Sequence, residues 1–186
     1  MNQNRIRQRS SRDTEGDAQR ILGKLEATGR DLRIVRLVAN WSAGLRPFVL
    51  SSDALLFRGA LDPHVREIIV LYIAARLGND YEWDEHVPMS ERAGVTDAER
   101  AALRAAVEGS DEPILRTTFD PVIVDALELA TSLLSDSTVD LDAWDRACES
   151  LGRESALEIL FVVAWWGAYV PLIANTLLSL EQPPSP

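Results

Sequence analysis

Three side chains able to move protons fall within twenty residues of one another: Glu67, Glu82 and His86, with the amide Asn79 beside them. Glu82 and His86 are four apart and would share one face of a helix. Glu67 shares a face with Leu71, Ala74 and Gly78 at spacings of 4, 3 and 4. A tight hairpin between two such helices would bring the faces together, and the small residues Ala74, Ala75 and Gly78 would let the second helix come close. A carboxylate and an imidazole would then meet beside a third polar group in an otherwise apolar pocket. Burial raises a carboxylate pKa and a neighbouring cation lowers it, so such a cluster can hold a proton donor and an acceptor near neutrality. His86 is the natural shuttle.

The same residues admit plainer readings. Asn79-x-x-Glu82 has the spacing of a capping box, and Glu82 with His86 fits a surface pair. A metal held by Glu67, Glu82 and His86 is a further alternative, but only two histidines exist, and His64 falls at a helix start where exposure is expected. No metal is expected. Trp83, Trp165, Trp166 and Tyr169 are assigned to packing, Trp83 also as a possible pocket wall. Arg46 before Pro47, together with Arg66, offers a guanidinium fork for a substrate carboxylate, with ordinary ion pairing as the alternative for each. Cys148 has no histidine near it in sequence and is expected to be a buried, inert thiol.

The elements that must position these residues are helical, because half-buried strand alternation is scarce while helical periodicity recurs. Helices are expected from Gly16 to Arg30 and from Asp31 to Leu50. Ser51-Ser52-Asp53 should break the chain and cap a short helix ending near Gly59. Asp62 then caps a helix with Pro63 at its first position, and the run Ile68 to Ala75, apolar on every side, marks that helix as central. Gly78-Asn79-Asp80 turns the chain into a second helix, Tyr81 to Ala93, kinked by Pro88 and closed by Gly94, and Thr96-x-x-Glu99 opens the next. A polar loop is expected around residues 109–113. Helices follow at Pro121 to Leu134, Leu141 to Leu151 and Ser155 to Leu180. The apolar run Ile159 to Ala174 is 16 residues, shorter than the about 20 needed to span a bilayer, so a buried helix is expected instead. Two helices apolar all round exceed what so small a chain encloses, which points to an oligomer.

Composition narrows the function. The chain has 186 residues with 46% hydrophobic and 26% charged, sufficient for one folded domain. Residues 16–180 are taken as that domain, with 1–15 a disordered basic tail carrying Arg5, Arg7, Arg9 and Arg12, and 181–186 a disordered Pro-rich tail. A net charge of -10 repels nucleic acid and anionic membranes, so neither is expected as a partner. No apolar segment follows the N-terminal arginines, so no export signal is inferred and the cytoplasm is the default location. With Cys148 the only cysteine, no intrachain disulfide forms.

The stretches Leu61-Asp62-Pro63 through Arg66-Glu67-Ile68-Ile69-Val70, Tyr81-Glu82-Trp83-Asp84-Glu85-His86, and Ala93-Gly94-Val95-Thr96-Asp97-Ala98-Glu99 together resemble the carboxymuconolactone decarboxylase-like family, related to alkylhydroperoxidase D. The likeness runs from about Asn40 to Leu180 and includes Trp166-Gly167-Ala168-Tyr169 and Ala174-Asn175; the YEWxxH form resembles one branch. It implies an all-α, alkylhydroperoxidase D-like helical bundle assembling as a homo-trimer or hexamer. In the peroxidase branch a glutamate, a CxxC and a histidine relay protons to a redox disulfide. Here the glutamate falls at Glu67 and the histidine at His86, while Asn79 and Glu82 stand where the cysteines would be, so thiol peroxidase or disulfide reductase activity is not expected.

The decarboxylase branch implies a cofactor-free lyase acting on a carboxylated unsaturated lactone such as carboxymuconolactone. His86 and Glu82 would be proton donor and partner, Glu67 would orient them, and Asn79, Trp83 and Arg46 would bind substrate. The family often has a histidine before the proline where this chain has Arg46-Pro47, and residues through Arg30 have no counterpart in it. Two alternatives stand beside the lactone decarboxylase: a cofactor-free lyase or isomerase acting on another carboxylated metabolite, and a non-catalytic helical oligomer that binds a small molecule or protein.

Overall fold

The computed structural model describes residues 6–109, 112–136 and 138–173. Every regular element among them is helical, so the all-α expectation holds. Contacts group the described residues into two compact units, one of residues 6–58 with 172–173 and one within 59–171.

The first unit contains α1 (Gly16–Glu26), α2 (Arg33–Val38) and α3 (Ser42–Phe57), preceded by one 3-10 turn, Ser11–Asp13. The stretch expected as a tail is bonded where it is described. Arg9 N–H donates to the Arg36 carbonyl at 2.8 Å, and Ser11 gives its backbone N–H and its hydroxyl to the Glu26 carboxylate. Residues 1–5 and 174–186 lie outside the described residues. The expected break at Ser51-Ser52-Asp53 is overturned: these residues are inside α3, and the chain turns earlier, at Ala39 to Trp41. Asn40 stabilises the earlier turn by donating to the carbonyls of Arg7 and Leu37. Asp53 spends its carboxylate on Arg30 and Arg58 instead of a helix N-terminus.

The second unit is arranged about α4 (Pro63–Arg76), which packs against α5 (Asp80–Arg92), α6 (Asp97–Gly109), α8 (Pro121–Asp136) and α10 (Arg153–Ala164). Asp62 caps α4 by accepting the His64 N–H at 2.8 Å, as expected of an Asp-Pro start. Every residue from Val65 to Ala74 is buried, with Ile68, Ile69, Leu71 and Ile73 fully so. Burying each such side chain contributes roughly 1.5–3 kcal/mol, which fixes this helix and whatever it carries. The loop before it is tied to α10. The Glu158 carboxylate accepts the Leu61 N–H at 2.9 Å, and it sits so close to Gly59 that a Cβ there would overlap Glu158 Oε1.

Gly78, at φ +60°, turns the chain from α4 into α5, a conformation an L side chain resists. The Thr96 capping box opens α6 as expected, with Thr96 N–H donating to Glu99 Oε2 at 2.7 Å and Glu99 N–H to Thr96 Oγ1 at 3.2 Å. The expected polar loop gives way within its own span to α7 (Glu112–Thr118), which buries Leu115. Helix α9 (Leu141–Leu151) has the bounds expected of it. The expected helix from Ser155 onward starts at Arg153 and is interrupted: α10 opens into a π-helical turn, Trp165–Tyr169, before α11 (Val170–Ile173). No helix among the described residues is long and apolar enough to cross a membrane.

Candidate active site

Glu67 is the least expected residue of the core, a carboxylate with 0% exposure on a helix otherwise apolar at that level. Its charge is matched on both oxygens. Arg66, itself buried, donates from Nε and Nη2 to Oε1 at 3.2 and 3.1 Å, and Oε2 lies 2.8 Å from His86 Nδ1. A buried carboxylate is tolerated only when so paired.

The far side of the imidazole is equally defined. Trp166, on the π-helical turn, donates its indole N–H to His86 Nε2 at 3.1 Å, and the two rings meet edge to face with centroids 5.5 Å apart. Since Nε2 accepts, neutral His86 carries its proton on Nδ1 and donates to Glu67. The π turn widens the helix locally, and such turns recur at functional sites.

Glu82 faces His86 from one turn earlier on α5, with Oε2 3.7 Å from Nε2. The capping alternative is half realised. Asn79 Oδ1 accepts the Glu82 N–H at 3.2 Å, but the Asn79 N–H goes to the Ala74 carbonyl at 2.8 Å, and the Glu82 side chain points inward with 5% residue exposure. Burial drives the Glu82 pKa up to about 7; the His86 charge opposes the rise, Glu85 adds to it, and a hydrogen bond from Trp166 lowers it. The indole N–H thus donates to the imidazole and also favours the ionised carboxylate. The two glutamates lie on opposite sides of the ring, so they do not converge on one ion with it, and no group of three or more metal-ligating side chains occurs among the described residues.

Asn79, the N-cap of α5, and Trp83, one turn further on, line a separate cavity of about 140 Å³ together with Ala74, Gly78, Asp80 and Arg104. Asn79 is 2% exposed and its Nδ2 has no hydrogen-bond partner. Arg104, from α6, stacks its guanidinium 4.1 Å from the Trp83 ring centroid. A larger cleft of about 600 Å³, lined by Tyr72, Arg76, Glu128, Thr131 and Arg146 among others, contains none of the Glu–His cluster, and its Arg146 is bonded to Glu128.

The structure thus brings Glu67, Glu82 and His86 together and places Asn79 and Trp83 next to them on α5. Arg46 belongs to the other unit, where both arms of its fork go to Asp17. Arg66 serves Glu67 rather than offering a free fork, His64 is half-buried and 3.1 Å from Glu99, and Cys148 is only partly buried. Two residues of the site escape the sequence reading. Trp166 reads as a packing residue, since nothing local reveals a partner eighty positions away, and Arg104 looks like any exposed residue of an amphipathic helix. A charge at Arg66 adjoining Glu67 at the head of an apolar run is the one available signal for that pair.

The family model described as Carboxymuconolactone decarboxylase family matches residues 45–130, which include Glu67, Glu82 and His86 but not Trp166. No curated protein and no solved structure matches the chain.

Proposed function

Taking as premise that the chain is, over residues 45–130, of the carboxymuconolactone decarboxylase family, we propose that it is a cofactor-free carbon–carbon lyase that decarboxylates a carboxylated unsaturated lactone such as carboxymuconolactone. The observation that carries this reading is Glu82, buried against His86 and titrating near neutrality instead of lying solvated as a helix cap. Loss of carbon dioxide breaks one carbon–carbon bond and leaves its electron pair in an extended enolate, which then takes a proton at a distant carbon. Protonated Glu82 supplies that proton. His86, held in one tautomer by Glu67 and Trp166, faces Glu82 with its unprotonated Nε2 and positions it, and Glu82 recovers its proton from water as the product leaves. Thiol chemistry has no agent here, because Asn79 and Glu82 occupy the expected cysteine positions.

The reading extends to a homo-oligomer, trimer or hexamer. Leu157, Phe161, Ala164 and Ala168 form an exposed apolar stripe along α10 and the turn after it, with Leu157 and Phe161 at 49% and 60% exposure.

The test follows carbon dioxide release from carboxymuconolactone and a panel of carboxylated lactones and β-keto acids, with metal-stripped wild type beside His86→Ala. Release by the wild type that collapses in the variant supports the assignment. No release from any compound, or equal release by both proteins, overturns it.

A further inference from the structure

The cavity beside the cluster has donors with nothing to donate to. Asn79 Nδ2 is buried and unpartnered, its Oδ1 being already used on the Glu82 N–H. The Arg104 guanidinium makes no hydrogen bond or ion pair among the described residues and lies over the face of Trp83. Both line the same cavity at the N-terminal end of α5, a 13-residue helix whose dipole favours an anion there. An orphaned buried amide is costly and is expected to have a ligand or water partner. At about 140 Å³ the cavity is close to the roughly 150 Å³ that admits a molecule of benzene size.

We propose that Asn79, Arg104 and Trp83 form a subsite for the carboxylate of a planar unsaturated acid, with Arg104 and Asn79 gripping the carboxylate and Trp83 lying against the ring. This deepens the lyase reading and rests on it for the identity of the ligand. A guanidinium stabilises a carboxylate in its ionised ground state, so the carboxylate bound here is the one retained. The ligand of this subsite then keeps the carboxylate that Arg104 holds. Arg104 is in this account a specificity-determining residue.

The experiment measures binding of 2-furoate, and of its neutral isostere 2-furamide, to the full-length protein by titration calorimetry. Wild type is expected to bind furoate at least tenfold more tightly than furamide. Arg104→Met should remove that preference, Arg104→Lys should restore part of it, and Asn79→Asp, which keeps the helix cap, should weaken furoate by charge repulsion. Thermal unfolding of the Arg104 variants should match wild type, because the side chain is exposed. Equal binding of acid and amide, or furoate affinity unchanged in Arg104→Met, would overturn the subsite. Arg104-dependent furoate binding without decarboxylation of any compound would sink the lyase and keep the subsite; decarboxylation indifferent to Arg104 would do the reverse.

Discussion

Glu67 holds His86 across nineteen residues of sequence, Oε2 to Nδ1 at 2.8 Å, with neither side chain more than 6% exposed. The bond joins the most buried helix of the second unit to the helix that carries Glu82. It sets the ring plane, and Trp166 on the opposite nitrogen fixes the proton position.

Removing the Glu67 charge should therefore be costly. In Glu67→Gln, Arg66 is left buried without a carboxylate, and loss of one partner of a buried pair costs about 3–5 kcal/mol. Urea unfolding monitored by circular dichroism measures it. A loss below about 1 kcal/mol would show that Arg66 is not the charge that Glu67 neutralises.

Glu82 makes stability pH-dependent in a definite direction. Between the unfolded value of 4.5 and the folded value of about 7, the folded protein keeps a proton that the unfolded chain has lost, so stability falls as pH rises through that window. A tenfold difference in proton affinity between the two states is worth about 1.4 kcal/mol, which puts the full penalty above pH 7 on the order of 3 kcal/mol. Glu82→Gln should be the more stable protein at pH 8 and no more stable than wild type at pH 4.5. Denaturant melts at the two pH values give the comparison, and a pH-independent difference would contradict it.

Part of this is legible in the sequence and part is not. The spacing of Glu67, Glu82 and His86, the Asp62-Pro63 start and the Gly78 turn are local signals, and the all-α bundle follows from periodicity over a few turns. The first break is misplaced by a sequence reading because Ser51-Ser52-Asp53 carries cap chemistry that α3 leaves unused, while Trp41, at the actual start, is no recognised cap. Trp166 and Arg104 reach the site through tertiary packing, which no spacing encodes.

Trp166→Phe removes the N–H that His86 Nε2 accepts and that favours the ionised Glu82. Since that N–H lowers the Glu82 pKa, Glu82 in the variant should titrate above wild type, and turnover should fall about 10–100-fold, as when other orienting partners are lost. The pH profile of decarboxylation separates this from mere loss of packing, which would lower the rate without moving the inflection.

Gly78→Ala meets no atom within 4 Å of the added Cβ, so its cost is conformational alone. At φ +60° that cost is about 1–2 kcal/mol. Gly78→Asn should lose less. Equal stability of all three proteins by urea unfolding would show that the turn relaxes without strain.

The most direct test of Glu82 as proton donor is the pH dependence of kcat/KM for carbon dioxide release from carboxymuconolactone, metal-stripped wild type against Glu82→Gln, across neutrality. The account predicts a wild-type profile that falls above about pH 7 as the donor ionises, and a Gln variant slower by at least about a hundredfold with that inflection gone. A Gln variant that keeps the wild-type rate, or one that keeps the inflection near 7, would contradict it.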